Sequence, residues 1–71
     1  MPKPISRRDL IRRLRIFGWS GPYGGGRHQA MEKDRRSLPI PNPHGKDIDW
    51  TLTKRILKQA NIDPQQWEEN K

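Results

Sequence analysis

A histidine that directly follows a run of glycines is the feature of this sequence that points most clearly to chemistry. Residues 24–26 are three glycines, Arg27 and His28 come next, and His44 is the only other histidine in the chain. An unperturbed imidazole titrates near pH 6.5, so it can accept or donate a proton under neutral conditions. His28 is therefore the first candidate for a general acid or base.

The chemistry that this pattern favours is cleavage of RNA. Each phosphate of RNA lies beside a nucleophile, the 2′-hydroxyl, and an imidazole can remove its proton or protonate the leaving oxygen. Arg27 can stabilise charge on the phosphate in the transition state, and the glycines leave room for the RNA backbone. A histidine at the start of a strand can equally be a polar surface residue, and the pattern alone does not decide between the two readings.

The chain is small and strongly basic, which limits what it can be. It has 71 residues and no cysteine, so we expect one domain, residues 1–71, without a disulfide, a metal ion or a small-molecule cofactor. The formal net charge is +7, so the natural partner is a polyanion, foremost a nucleic acid, and an acidic protein surface is the other credible partner. No apolar run is long enough for a signal peptide or a membrane span, and we expect a cytoplasmic protein.

Two capped helices are predicted near the ends of the chain. Ser6 is a good N-cap for a helix over residues 7–17, and Gly18 is a typical C-terminal stop. The apolar stripe of this helix is formed by Leu10, Ile11, Leu14 and Phe17. Its other face is predicted to carry five arginines, as a solvated or a phosphate-binding surface: Arg7, Arg8, Arg12, Arg13 and Arg15.

The second helix is predicted to begin after Asp49 and to stop at Asn61. Its apolar stripe is Leu52, Ile56, Leu57 and Ala60. Pro64 opens a last short turn, and Trp67 is expected to fold back onto the core.

Extended segments lie between the two helices. Residues 19–23 contain a glycine and a proline and predict only a weak or edge strand. Residues 27–33 and residues 37–40 predict two further strands, with a polar turn at Asp34 and Arg35 between them. This order predicts a small α+β sandwich in which both helices cover one face of the sheet and the other face is open to a ligand.

Four stretches, taken in order, resemble the HicA family of toxin endoribonucleases from type II toxin–antitoxin systems. They are Gly25-Gly26-Arg27-His28, Ile40-Pro41, His44-Gly45-Lys46-Asp47-Ile48, and LTKRILKQANI over residues 52–62. The opening SRRDLIRRL followed by FGW is also similar to the first helix of that family. Gly26 stands where the family usually has a serine, Asn61 replaces a glycine, and Ala30 replaces a larger apolar residue.

The resemblance implies an α-β-β-β-α fold similar to a double-stranded-RNA-binding domain, and metal-independent cleavage of mRNA. It implies that His28 is catalytic and that an antitoxin partner, HicB, covers the site. We expect the surrounding small and basic residues to bind RNA: Arg27, Gly25, Gly26, Arg12, Lys33 and Lys46. His44 lies between Pro43 and Gly45, which favours a turn or binding role for it. The alternatives are a non-catalytic RNA-binding module of the same fold and a basic protein whose only partner is an acidic protein.

Overall fold

Two ten-residue helices flank a three-stranded sheet, and a short third helix follows. The computed structural model describes residues 3–25, 28–42, 45 and 47–69. The elements are α1 (Arg7–Ile16), β1 (Ser20–Tyr23), β2 (Gln29–Lys33), β3 (Arg36–Ile40), α2 (Trp50–Gln59) and α3 (Pro64–Glu69). The predicted α+β architecture is confirmed.

The ends of α1 are fixed by the residues predicted to fix them. The Ser6 hydroxyl accepts a hydrogen bond from the Asp9 N–H at 3.1 Å, which satisfies one of the free donors of the first turn. At the other end Gly18 has φ +95°, and the Trp19 N–H donates to the Leu14 carbonyl at 3.1 Å. This is a Schellman ending, so the helix stops at Ile16, one residue earlier than predicted.

The two ends of α2 are likewise fixed by the capping residues predicted for them. The Asp49 carboxylate accepts from the Leu52 N–H at 2.8 Å. Asn61 has φ +59°, and the Ile62 N–H after it donates to the Leu57 carbonyl at 2.8 Å. Thr53, outside the predicted apolar stripe, is buried, whereas Leu52 is only half-buried.

The sheet has the order β1-β2-β3, with both pairs antiparallel. Asp34 and Arg35 both have positive φ, 49° and 66°, which is the backbone of a tight two-residue hairpin turn. β1 lies at an edge, as predicted, and its register with β2 shifts between Ser20 and Tyr23.

Side chains alternate across the sheet and separate a covered face from an open one. Met31 and Leu38 pair with each other and are buried with the residues of both helices in one apolar core. Ala30 pairs with Pro39 on the opposite face, where Pro39 is exposed. Tyr23, paired with Ala30, is 51% exposed. The open face predicted from the element order is therefore present.

The N-terminal segment links the starts of the two long helices. Ile5 and Ile48 exchange two backbone hydrogen bonds, at 3.0 and 2.7 Å, so residues just before α1 pair with residues just before α2. At the other end of the sheet, Arg36 donates to the Gln59 carbonyl at 2.9 Å. The two helices therefore begin side by side and run in the same direction.

Arg13 corrects the prediction that five arginines share an exposed helix face. Its side chain is buried, and its guanidinium lies 4.2 Å from the ring centre of Trp67 and donates to the Trp67 carbonyl. Burial lowers the pKa of Arg13, an effect that the nearby Glu68 opposes. Trp67 is only 1% exposed and also stacks on Phe17, with ring centres 5.8 Å apart. The predicted return of Trp67 to the core is what buries Arg13.

Candidate active site

His28 lies at the end of the five-residue loop that joins β1 to β2, directly before the first residue of β2, and its side chain is exposed. Position 28 has the same strand parity as Ala30, which belongs to the open face. The histidine thus stands at the rim of the open sheet face, at the end of the sheet where both helices begin. Solvent and a ligand can reach it.

Gln29, the neighbour of His28, ties this loop to the rest of the molecule. Its amide nitrogen donates to the Gly24 carbonyl at 3.2 Å, and its amide oxygen accepts from the guanidinium of Arg7. Arg7 also donates through Nε to the Pro41 carbonyl at 3.2 Å. One side-chain network therefore joins the loop, the start of α1 and the end of β3, next to the candidate catalytic residue.

Arg7 and Gln29 were not singled out from the sequence as site residues. The two residues are 22 positions apart, and no local pattern indicates that their side chains meet. The one indication in the sequence that Gln29 belongs to the site was its position directly after His28.

The glycines of the loop have different structural roles. Gly24 has φ +98°, and a Cβ built on it would lie 2.7 Å from the His28 carbonyl oxygen. This position therefore requires glycine for the loop to close beside His28. Among the described residues, none has an atom within 4 Å of a Cβ built on Gly25, so this part of the protein leaves the space beside Gly25 open.

Several residues of the predicted site lie outside the described residues. These are Gly26, Arg27, His44 and Lys46, and their proposed roles stay predictions.

Lys33 is not brought near His28. It is the last residue of β2, whereas His28 precedes the first. Its ammonium donates to the Phe17 carbonyl at 2.8 Å, where it satisfies a free carbonyl at the end of α1. Its predicted contact with RNA gains no support from this placement.

Arg12 belongs to an arginine-rich groove between α1 and β1, which we call the α1 groove. The groove has a volume of about 610 Å³ and is lined by Arg7, Arg8, Ile11, Arg12, Arg15 and Pro22. The Arg12 Nε lies 3.6 Å from an Asp9 carboxylate oxygen, with both side chains more than half exposed, a pairing that water and salt weaken. Through Arg7, this basic groove connects with the loop that carries His28.

Two further kinds of site are absent from the described residues. These residues contain no group of three or more histidine, cysteine and acidic side chains placed to hold a metal ion. In the same part of the chain, no helix has the length and apolar character needed to cross a membrane.

One comparison with known proteins gives a match. The family model described as the HicA toxin of bacterial toxin–antitoxin systems matches residues 7–62. No curated protein and no solved structure matches the chain significantly. The matched range begins at the first residue of α1 and ends just after α2, so it includes the whole sheet and the loop before His28.

Proposed function

The chain belongs to the HicA family of toxins from bacterial toxin–antitoxin systems, and from that membership we propose that it is an endoribonuclease that cleaves mRNA. The observation that carries the proposal is the position of His28. It is an exposed imidazole at the end of a loop. The described residues leave the space beside Gly25 open, and the side chain of Gln29 holds the loop through hydrogen bonds to Gly24 and Arg7.

The proposed reaction uses the 2′-hydroxyl of the substrate as its nucleophile. The 2′-oxygen attacks the adjacent phosphorus, and the bond from phosphorus to the 5′-oxygen breaks. The proton leaves the 2′-oxygen and a proton is delivered to the 5′-oxygen, so the products are a 2′,3′-cyclic phosphate and a 5′-hydroxyl. His28 is the general acid–base in this scheme, and Arg27 stabilises the phosphate charge. The scheme needs neither a metal ion nor a cofactor.

The α1 groove is the proposed path of the RNA backbone toward His28. Its four arginines include Arg12, for which a phosphate contact was expected from the sequence. Arg15 uses Nε and one terminal nitrogen to donate to the Gly21 carbonyl, at 3.0 and 2.7 Å. A guanidinium has five donor hydrogens, so arginines held in this way still have donors for a phosphate.

The proposed protein partner is an antitoxin similar to HicB, which would cover His28 and block access of RNA in the cytoplasm. The open sheet face supports this role, because it presents an exposed aromatic side chain, Tyr23, and carries His28 at its rim. Aromatic residues are enriched in protein interfaces. A partner bound on this face would contact the loop before β2.

The test is cleavage of a labelled RNA in the presence of a chelator by the wild type and by two single variants. We expect His28→Ala to lose about 10²- to 10⁴-fold in rate, the usual effect of removing an acid–base group. His44→Ala is the matched control and should keep measurable activity and toxicity.

Wild-type rates in the His28→Ala variant would refute the catalytic assignment. If the wild type binds RNA without cutting it, the chain is instead a non-catalytic RNA-binding module of the same fold. Circular dichroism and antitoxin binding check that the variants are folded.

A further inference from the structure

Most of the cationic side chains that the structure describes on α1 and the sheet already have partners within the protein. Five donate to backbone carbonyls and a sixth pairs with a carboxylate: Arg7, Arg13, Arg15, Lys33, Arg36 and Arg12. Their positions are thus explained in large part by the fold. A net charge of +7 leaves other cations that have no hydrogen-bond or ion-pair partner among the described residues.

Three such cations lie together on α2. Lys54, Arg55 and Lys58 are exposed, and none makes a hydrogen bond or an ion pair with another described residue. Lys54 and Lys58 are one helical turn apart on the same face, about 6 Å along the axis, with Arg55 beside them. Lys58 lies in the last turn of α2, where the helix dipole favours a cation. Like charges at this spacing oppose each other, so the dipole accounts for Lys58 but not for Lys54 and Arg55. We call these three residues the α2 stripe.

The α2 stripe forms one wall of a groove of about 810 Å³ between α2 and the segment that leads into α3. The other lining residues are Thr51, Asn61, Ile62, Asp63, Pro64 and Gln66. Asp63 is the single carboxylate among them, and one of its oxygens already accepts from the Gln65 N–H at 3.0 Å. Three cations against one carboxylate leave the groove with an excess of two positive charges.

We propose that the α2 stripe is a second docking surface for the RNA phosphate backbone, separate from the α1 groove. This deepens the proposed function and rests on it. Phosphate is the chemistry that unpartnered, exposed lysines and arginines bind most readily. The lining also has apolar surface, to which Ile62 and Pro64 contribute, so the choice of phosphate as the ligand rests on the excess of positive charge in the groove.

The position of the stripe extends the RNA footprint beyond the catalytic loop. α2 packs against β3, at one edge of the sheet, whereas the α1 groove adjoins β1 at the other edge. The lining residues Asn61 to Gln66 follow the C-terminal end of α2, so the stripe would extend bound RNA away from the end of the sheet that carries His28. The α2 stripe thereby adds affinity without contacting the reacting phosphate.

The experiment compares two double variants that lose the same charge. Lys54→Gln/Lys58→Gln removes two members of the stripe, and Lys3→Gln/Arg35→Gln removes two other exposed cations that have no partner among the described residues. Glutamine is a good helix former, so α2 should persist. The probe is a single-stranded 2′-O-methyl RNA, which cannot be cleaved, and the measurement is Kd by fluorescence anisotropy over a range of salt concentrations.

The stripe variant should bind several-fold more weakly, and the slope of log affinity against log salt should become shallower by about 1.4, since each lost phosphate contact contributes roughly 0.7 for single strands. The control should keep the wild-type slope. A charge-conserving Lys54→Arg/Lys58→Arg variant should also keep it, which separates loss of charge from loss of folding.

A stripe variant with the slope of the control would overturn the inference, whether or not the wild type cleaves RNA. A variant that keeps the RNA slope but loses antitoxin binding would also overturn it, because the stripe would then be a protein-binding surface. A shallower slope in a protein that does not cleave RNA would support the docking surface while the proposed catalysis fails. The two proposals can therefore fail separately.

Discussion

Gly24 and Gly25 are adjacent in the loop before β2, yet their surroundings make opposite demands. Gly24 combines a positive φ with a close approach to the His28 carbonyl, whereas no described residue lies within 4 Å of a Cβ built on Gly25. A glycine that the fold does not need can still be needed by a ligand. Substitutions at Gly24 and Gly25 therefore test separately whether glycine is needed for the loop conformation and whether it is needed for access of the substrate.

We predict that Gly24→Ala destabilises the protein by about 2 kcal/mol, because alanine is strained at positive φ and its Cβ collides with backbone. Gly25→Ala should change stability by less than about 0.5 kcal/mol and yet lower kcat/KM about tenfold or more, if RNA approaches this backbone closely. Thermal unfolding and RNA cleavage measure the two effects. Wild-type cleavage by Gly25→Ala would show that access to His28 does not depend on a glycine there.

The sequence predicted the place of His28 better than its surroundings. A histidine behind glycines, at the start of a strand over residues 27–33, was predicted from residue types alone. The structure begins this strand at Gln29, so His28 lies directly before β2 and not within it. The hydrogen bond between Arg7 and Gln29 could not be predicted from the sequence, because it joins the start of a helix to the start of a strand. Such contacts depend on the packing of elements and leave no periodic signal in the chain.

At the scale of elements, the helix ends were predicted well because each depends on a few local residues. Ser6, Gly18, Asp49 and Asn61 all act as the caps or stops that their chemistry indicates. The burial of Arg13 was not predictable in this way. Helical spacing assigned it to the polar face, and the side chain that covers it, Trp67, is 54 positions away.

We predict that Arg13→Ala costs about 2 kcal/mol, since it removes a desolvated cation–π contact and uncovers Trp67. For a domain of this size the loss should lower Tm on the order of 10 °C. Arg12→Ala is the matched control: the neighbouring side chain is exposed and pairs only at the surface, so its loss should cost less than about 1 kcal/mol. Equal melting temperatures for the two variants would contradict the predicted contribution of the Arg13–Trp67 contact to stability.

At the scale of the whole molecule, the positive charge of the protein accounts for binding of nucleic acid, and the chemistry at His28 accounts for the proposed cleavage. The excess of seven positive charges attracts any nucleic-acid backbone, because binding releases counterions irrespective of sequence. Cleavage, in the proposed scheme, requires the 2′-hydroxyl as well. Replacing ribose by deoxyribose in the nucleic acid should therefore affect cleavage much more than binding.

We predict that a single-stranded DNA of the same sequence binds within a fewfold of the RNA but is not cut, because DNA lacks the 2′-hydroxyl. A chimeric RNA with one deoxynucleotide at the cleaved position is the sharper probe, since it differs from the substrate by one oxygen atom. It should bind normally and resist cleavage at that position alone. Cleavage of the chimera there at the RNA rate would rule out attack by the 2′-oxygen.

The pairing of Ile5 with Ile48 has an electrostatic consequence for the entire site. Because α1 and α2 start side by side and run in parallel, their macrodipoles point the same way, with both positive ends at the end of the sheet that carries His28. Two parallel dipoles repel each other, and negative charge at their positive ends relieves that repulsion. The backbone thus adds partial positive charge at this end of the sheet, which the carboxylates of Asp9 and Asp49 partly offset and which substitution of a lysine or arginine does not remove.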